Sequence, residues 1–313
     1  MSLRNGLTTY EWGRLHERLD SAVAEAARLY LQRLTTRHIR IDPKRWSDEL
    51  DELRLQRESD YESPGLPLVY ALKYMPRRVV SIVGSLLSIL DGWYPTSVLD
   101  IGSGTGSTAL APDLLNLPRH INLVGIEPSR EMIAFAECSR YRARVSAHYR
   151  QGSVVGLGGN GVSSEPFDLL VFSACFPYGF SDWGPLSEAL GNYDQHKDQM
   201  ILVVEPEAKS DILDAFERRL TAKGWPTRRL CCHDLPEIIK RDDLPLREML
   251  DVWQRLGLRD STRPRTWWNP PDDRFLIANP QPSWPSCRVG MLALQQQLKA
   301  AEAVTEQEPA RAR

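Results

Sequence analysis

The chain has 313 residues, 39 Lys+Arg against 41 Asp+Glu for a formal charge of −2 at pH 7, and 42% hydrophobic residues. That balance excludes a collagen-like or intrinsically disordered chain and a strongly basic nucleic-acid binder, and it leaves ample apolar sequence for a large core. Five cysteines, odd in number and irregularly spaced, do not make a disulfide framework and predict a reducing, cytoplasmic setting; the first twenty residues contain no apolar signal core.

Residues 8–35 carry no proline and repeat apolar residues at Leu15, Leu19, Val23, Ala26, Ala27, Tyr30 and Leu31, the period of an amphipathic helix. Residues 45–57 predict a second, more charged helix. After a turn at Ser63-Pro64-Gly65 and Pro67, a third is expected over roughly Leu68–Leu90. Its most apolar part, Val79–Leu90, is about half a bilayer span and contains Ser81, Gly84, Ser85 and Ser88, so it is expected to be buried in protein and not to cross a membrane. Residues 1–92 therefore read as a helical N-terminal extension.

The pattern changes at Trp93-Tyr94-Pro95. Short apolar runs at Ser97–Ile101, Asn122–Glu127, Phe167–Ser173, Met200–Glu205, Thr227–Cys231 and Phe275–Ala278 alternate with helical windows such as Ser129–Arg142 and Ser210–Lys223. Strands alternating with helices predict an α/β fold, a mostly parallel sheet covered on both faces. The last two runs are separated by residues 234–274, read as an insertion with its own helix near Leu246–Leu256. The main domain is placed at 93–290 and a polar tail at 291–313. No internal repeat is present.

The most informative segment is Ser97-Val98-Leu99-Asp100-Ile101-Gly102-Ser103-Gly104-Thr105-Gly106, an apolar strand running into a glycine-rich turn. Glycines there permit φ > 0 and let a ligand lie against the main chain. A dinucleotide fingerprint spaces its glycines G-x-G-x-x-G; here the order is G-x-G-x-G, followed by Ser107. Ile121–Glu127 ends a second strand in an acid, 21 residues beyond Gly106. A carboxylate at such a strand end accepts hydrogen bonds from ribose hydroxyls.

The order D-x-G-x-G-x-G, with the acid at Glu127 and the following Pro128-Ser129-Arg130-Glu131-Met132-Ile133, resembles the class I S-adenosylmethionine (SAM)-dependent methyltransferases over about residues 95–235. The resemblance implies a seven-stranded Rossmann-like sheet and SAM as cofactor. Gly102, Ser103, Gly104 and Gly106 would shape the SAM loop, Asp100 would meet the methionine ammonium, Glu127 the ribose, and Pro128 and Met132 would lie beside the adenine. A dinucleotide enzyme or an empty Rossmann-like scaffold is the alternative. Two positions depart from the pattern. Where many of these enzymes hold the adenine amino group with an acid, this chain has Gln151-Gly152-Ser153, so Ser153 or a backbone group would serve. Pro112 falls early in the first helix of the domain, where it must sit in the first turn or break the helix.

The acceptor is expected at the end of the fourth strand, near Ser173–Tyr178, because ligands of open α/β sheets bind outside the carboxyl ends of strands. Tyr178 is a candidate for shaping the acceptor pocket. Cys175 reads as a buried strand-end cysteine in preference to a nucleophile. His233 is a candidate base for a hydroxyl acceptor; with Cys231 and Cys232 it lacks the spacing of a metal site, and none is expected. Arg259, Arg263 and Arg265 precede Trp267 and Trp268, a combination that suits single-stranded nucleic acid or, alternatively, a packed lid.

The chain also resembles methyltransferase-like proteins of the small ribosomal subunit, through Tyr70–Arg78, Val204-Glu205-Pro206 and Cys232-His233 in that order. Only Cys287 remains after His233, so their iron–sulfur cluster is not carried over. The acceptor suggested is RNA or a ribosomal particle; small-molecule O- or N-methylation under the N-terminal helices, or a catalytically silent SAM-binding assembly factor, are the alternatives.

Overall fold

Val98, Leu99, Asp100 and Ile101 are all 3% exposed or less, so strand β1 (Ser97–Ile101) is covered on both faces, as a central strand of a parallel sheet must be. The computed structural model describes residues 9–54, 61–89, 94–141, 144–153, 167–173, 175–176, 183, 199–206, 210–222, 224–225, 227–231, 246–264 and 273–278. Around β1 stand β2 (Ile121–Glu127), β3 (Val145–Gln151), β4 (Leu169–Ser173), β5 (Met200–Pro206), β6 (Thr227–Cys231) and β7 (Asp273–Ala278). Their order is β3-β2-β1-β4-β5-β7-β6. The first five in that order pair in parallel, while β7 runs antiparallel to both β5 and β6. The α/β character and the parallel arrangement are those expected from the alternating runs.

The two faces of the sheet have different covers. On one, Val98, Leu123, Leu169, Val171 and Leu202 pack with helices α1 (Thr9–Thr36), α3 (Leu66–Ile89), α4 (Ser107–Leu115) and α5 (Arg130–Ala136). On the other, Leu99, Ile101, Ile126, Phe172 and Val203 pack with Leu213 and Phe216 of α6 (Ser210–Ala222). The N-terminal helices thus share one apolar cluster with the sheet. Along α1, Leu15, Leu19, Val23, Ala27, Tyr30 and Leu34 are buried at helical spacing, which is why this helix lies down on the domain. Helix α2 (Pro43–Arg54) adds Trp46 and Leu50. Helix α7 (Arg247–Leu256), from the segment between β6 and β7, returns to α1. There Asp20 accepts hydrogen bonds from the backbone N–H groups of Glu248 and Met249, both at 2.9 Å. Among the described residues no helix is long and apolar enough to cross a membrane.

Three local expectations change. Strand β3, VSAHYRQ, was not among the apolar runs; it is the sheet's edge, and only Val145 in it is fully buried, so its sequence carries no continuous apolar signal. The window Ser129–Arg142 forms a helix only over Arg130–Ala136. Its continuation tightens because the N–H groups of Cys138 and Ser139 bond back three residues, to Phe135 and Ala136. Pro112 lies in the second turn of α4, and the helix is not broken there. It ends soon after, where Asn116 takes a left-handed conformation (φ 50°) and its N–H bonds the Asp113 carbonyl.

Candidate functional site

At the carboxyl end of β1 the chain turns through Gly102, Gly104 and Gly106, with φ of 70°, 51° and 87°. The turn is tied to the neighbouring strand: Gly102 and Ser103 N–H both donate to the Ile126 carbonyl, at 2.8 and 3.1 Å. The glycines serve different ends. A Cβ on Gly102 would lie 2.3 Å from Cys175 Cβ, and one on Gly106 would lie 2.7 Å from the Tyr149 hydroxyl. Among the described residues, a Cβ on Gly104 would meet nothing closer than the Gly102 carbonyl at 4.0 Å, so the backbone there is open on that side.

Two acids border that space. Asp100 is in register with Gly125, and Gly125 with Tyr149; Glu127 lies two residues beyond Gly125 and therefore on the same face of the sheet as Asp100. Ser173, two residues beyond the Asp100 partner Val171, shares that face. Asp100 is 1% exposed, and among the described residues neither of its oxygens has a hydrogen-bond partner. Burial pushes its carboxyl up to about 7; the Thr108 hydroxyl, near it but outside hydrogen-bond geometry, draws it part of the way back, and the Glu127 charge adds to the rise. The hydroxyls of Ser103, Thr105 and Ser173 are likewise buried without partners among the described residues.

Glu127 is held differently. Its Oε2 accepts from Gly104 N at 2.8 Å and its Oε1 from Ser129 N at 3.1 Å. Burial raises its pKa, and those two N–H donors pull against the rise. A carboxylate accepts about four hydrogen bonds, so accepting capacity remains. Behind Gly106, the phenols of Tyr141 and Tyr149 meet at 2.8 Å; burial pushes Tyr141 up to about 12 and Tyr149 well above its ordinary value.

The structure therefore brings together Asp100, Gly102, Ser103, Gly104, Gly106, Glu127 and Ser173. Pro128 is exposed next to Glu127, and its carbonyl accepts from Gln151 Nε2 at 3.1 Å. Met132 is 2% exposed and packs into the core shared with α1 and α3. Ser153 is exposed just past β3. Tyr178, His233, Arg265, Trp267 and Trp268 lie outside the described residues. Cys175 is half-buried against Gly102, and Phe176 is core: its ring stacks on Phe172 at 5.6 Å and lies 6.0 Å from Phe216, while its N–H donates to Glu205 at 3.3 Å. Arg259 pairs with Asp48 of α2, and its N–H reaches Ser47 Oγ at 3.3 Å; the Arg263 guanidinium lies 5.8 Å from the Trp253 ring centroid. Among the described residues no cluster of His, Cys, Asp and Glu has the geometry of a metal site.

Residue reasoning missed Ser129. Its N–H holds Glu127, its Oγ accepts from Met132 N at 3.1 Å to cap α5, and the same Oγ donates to the Tyr61 carbonyl at 2.5 Å. A serine between a strand-ending acid and a helix is an N-cap signature and marks the residue. Tyr61 and Glu62 had no such signal, because they reach the site from another part of the chain.

No family model matches the chain, and no curated protein matches it in sequence. Solved structures with similar backbones include the plantazolicin methyltransferase BamL, crystallised with a triazolic desmethylPZN analog and SAH. It is 15% identical, covers 84% of this chain and 100% of its own, and has a TM-score of 0.42. A SAM-dependent methyltransferase from Archaeoglobus fulgidus is 16% identical over 65% of this chain and 94% of its own, with a TM-score of 0.40. The methyltransferase domain of bacterial CtHen1 is 12% identical over 65% and 97%, again with a TM-score of 0.40. Overlaps this partial carry no weight of their own, and none of these three supports the ribosomal likeness; the functional reading rests on the crevice.

Proposed function

We propose that the chain is a class I SAM-dependent methyltransferase whose cofactor lies across the carboxyl ends of β1 and β2. One observation supports this above the rest: Asp100, fully buried and with neither oxygen satisfied among the described residues, faces the same side of the sheet as Glu127, near the open backbone at Gly104. An ionised carboxylate buried without a partner costs several kcal/mol. A ligand ammonium placed beside it offsets that cost, and the methionine end of SAM carries one. Glu127 has capacity left for ribose hydroxyls. Asp100 also argues against the dinucleotide alternative, since a pyrophosphate beside its charge would be repelled, whereas Glu127 suits the ribose of either ligand.

In this reading SAM supplies a methyl group already activated on a sulfonium. The chain's own groups position and enclose. Gly102 and Gly106 fix the turn, Gly104 keeps the approach open, and the Ser103, Thr105 and Ser173 hydroxyls offer hydrogen bonds. Pro128, Met132 and Ser153 flank the adenine side. Ser173 ends β4, where the acceptor would approach; Tyr178 would shape that pocket and His233 would take a proton from a hydroxyl acceptor. Residues 1–92 act as a cover for the domain, and the 234–274 insertion braces it through α7.

Arg259 weakens the case for an RNA acceptor. Paired to Asp48 and tied to Ser47, it fastens its segment to α2, so the arginine–tryptophan stretch begins as a brace. The test is transfer of labelled methyl from SAM into fractionated cell extract by the purified chain. Label in the small-molecule fraction is expected. Label in RNA would keep the enzyme and redirect its acceptor, and SAH binding without transfer in any fraction would favour the silent factor. Neither binding nor transfer would contradict the reading.

A further inference from the structure

Between α2 and α3 the described residues are 61–65, and each of them is held. The Tyr61 carbonyl accepts from Ser129 Oγ at 2.5 Å, and Glu62 Oε1 accepts from Arg130 N at 3.0 Å. Ser63 Oγ donates to Glu49 at 2.5 Å, and the Pro64 carbonyl accepts from Tyr30 Oη at 2.9 Å. Gly65 is closed over by Trp46, whose ring would lie 1.9 Å from an added Cβ. This stretch sits on the first turn of α5, and through Ser129 it is one residue removed from the Glu127 carboxylate.

Within this fixed segment Tyr61 is left with 46% of its surface exposed. Burial still pushes its phenol up to about 12, with Tyr70 and then the Glu127 charge adding to the rise. The bond from Ser129 Oγ to the Tyr61 carbonyl places this exposed ring on the residue whose N–H holds Glu127.

We infer that Tyr61 is a cofactor-binding residue: the N-terminal extension supplies the outer wall of the nucleoside subsite, and the Tyr61 ring packs against the adenosine whose ribose Glu127 holds. The inference rests on the methyltransferase reading. It follows from the hydrogen bonds that join Tyr61, Ser129 and Glu127, because the group that holds the ribose and the group that holds the ring move as one unit. An aromatic ring packed on a flat base contributes on the order of 1 kcal/mol beyond its buried area, and the exposed flank has no other occupant among the described residues.

The test uses calorimetry on the full chain with two probes, SAH and 5′-methylthioadenosine, which lacks the amino-acid tail. Tyr61→Ala and Tyr61→Leu are expected to weaken both probes about tenfold, and by the same factor, while Tyr61→Phe stays near wild type. Asp100→Asn, by contrast, is expected to weaken SAH alone. Thermal unfolding of each variant tracks folding; an exposed ring predicts midpoints near wild type. If both probes bind the Ala and Leu variants as tightly as wild type, the inference is overturned while the methyltransferase reading stands. If wild type binds neither probe, the reading fails and takes the inference with it.

Discussion

Asp20 and Asp100 are buried to nearly the same degree, 4% and 1% exposed, and the fold treats them in opposite ways. Asp20 lies on α1 and caps α7 from 228 residues away, one oxygen on Glu248 N and the other on Met249 N. Leu246, at the local cap position of α7, supplies no side-chain bond, so Asp20 takes its place. Ser21 at 2.5 Å and Arg28 at 2.9 Å then hold Glu248 at the same junction. Asp100 has none of this. Among the described residues its two oxygens have no partner. A buried acid whose bonds are made reads as structure; one whose bonds are missing marks a place where a partner is expected from outside.

The largest expected contrast is in pH dependence. The folded-state pKa of Asp100 is raised from 3.8 to about 7, so the folded chain holds this proton more tightly than the unfolded chain does. The group therefore costs stability progressively as pH climbs from about 4 to about 7, and the full cost, up to about 4 kcal/mol, persists above that. Asp100→Asn removes the charge, so thermal unfolding should show the variant above wild type at pH 8 and the two converging near pH 4. Affinity for SAH should run the other way in wild type, strengthening as pH rises through about 7, because the ligand ammonium pairs with the ionised acid; titrations at pH 6 and 8 check the sign.

The glycine turn sharpens the same comparison. Gly102→Ala places a methyl 2.3 Å from Cys175 Cβ at a φ of 70°, and should destabilise by about 3 kcal/mol in denaturant unfolding. Asp20→Ala comes next. It leaves two N–H groups of α7 uncapped and should cost about 2 kcal/mol, lowering the unfolding temperature with SAH affinity unchanged. Gly104→Ala should cost least, about 1 kcal/mol from its left-handed backbone alone, since its methyl enters open space. That same methyl occupies the ligand's approach, so SAH binding should fall even though the fold barely responds.

Much of the site was legible because its signals are local. Asp100, the glycines and Glu127 lie where apolar strands end, and a strand end can be read from a few neighbouring residues. β3 was less legible, since an edge strand with one covered face does not need a run of apolar residues. Pro112 was misread for another reason: in the second turn it forfeits one backbone hydrogen bond toward the helix start, and α4 continues through it. Ser129, Tyr61 and the Asp20 cap depend on contacts between distant segments, and spacing along the chain does not encode those. Ser129 carried a capping signature; Tyr61 carried nothing until the fold brought it beside Glu127.

The most direct measurement is a calorimetric titration of SAH into wild type and Asp100→Asn at pH 8, with both proteins shown to be folded. The account predicts saturable binding to wild type and affinity weaker by at least roughly tenfold, about 1.4 kcal/mol, in the variant. Equal affinities, with the Asn variant no more stable than wild type, would mean that the orphaned carboxylate of Asp100 does not receive the ligand.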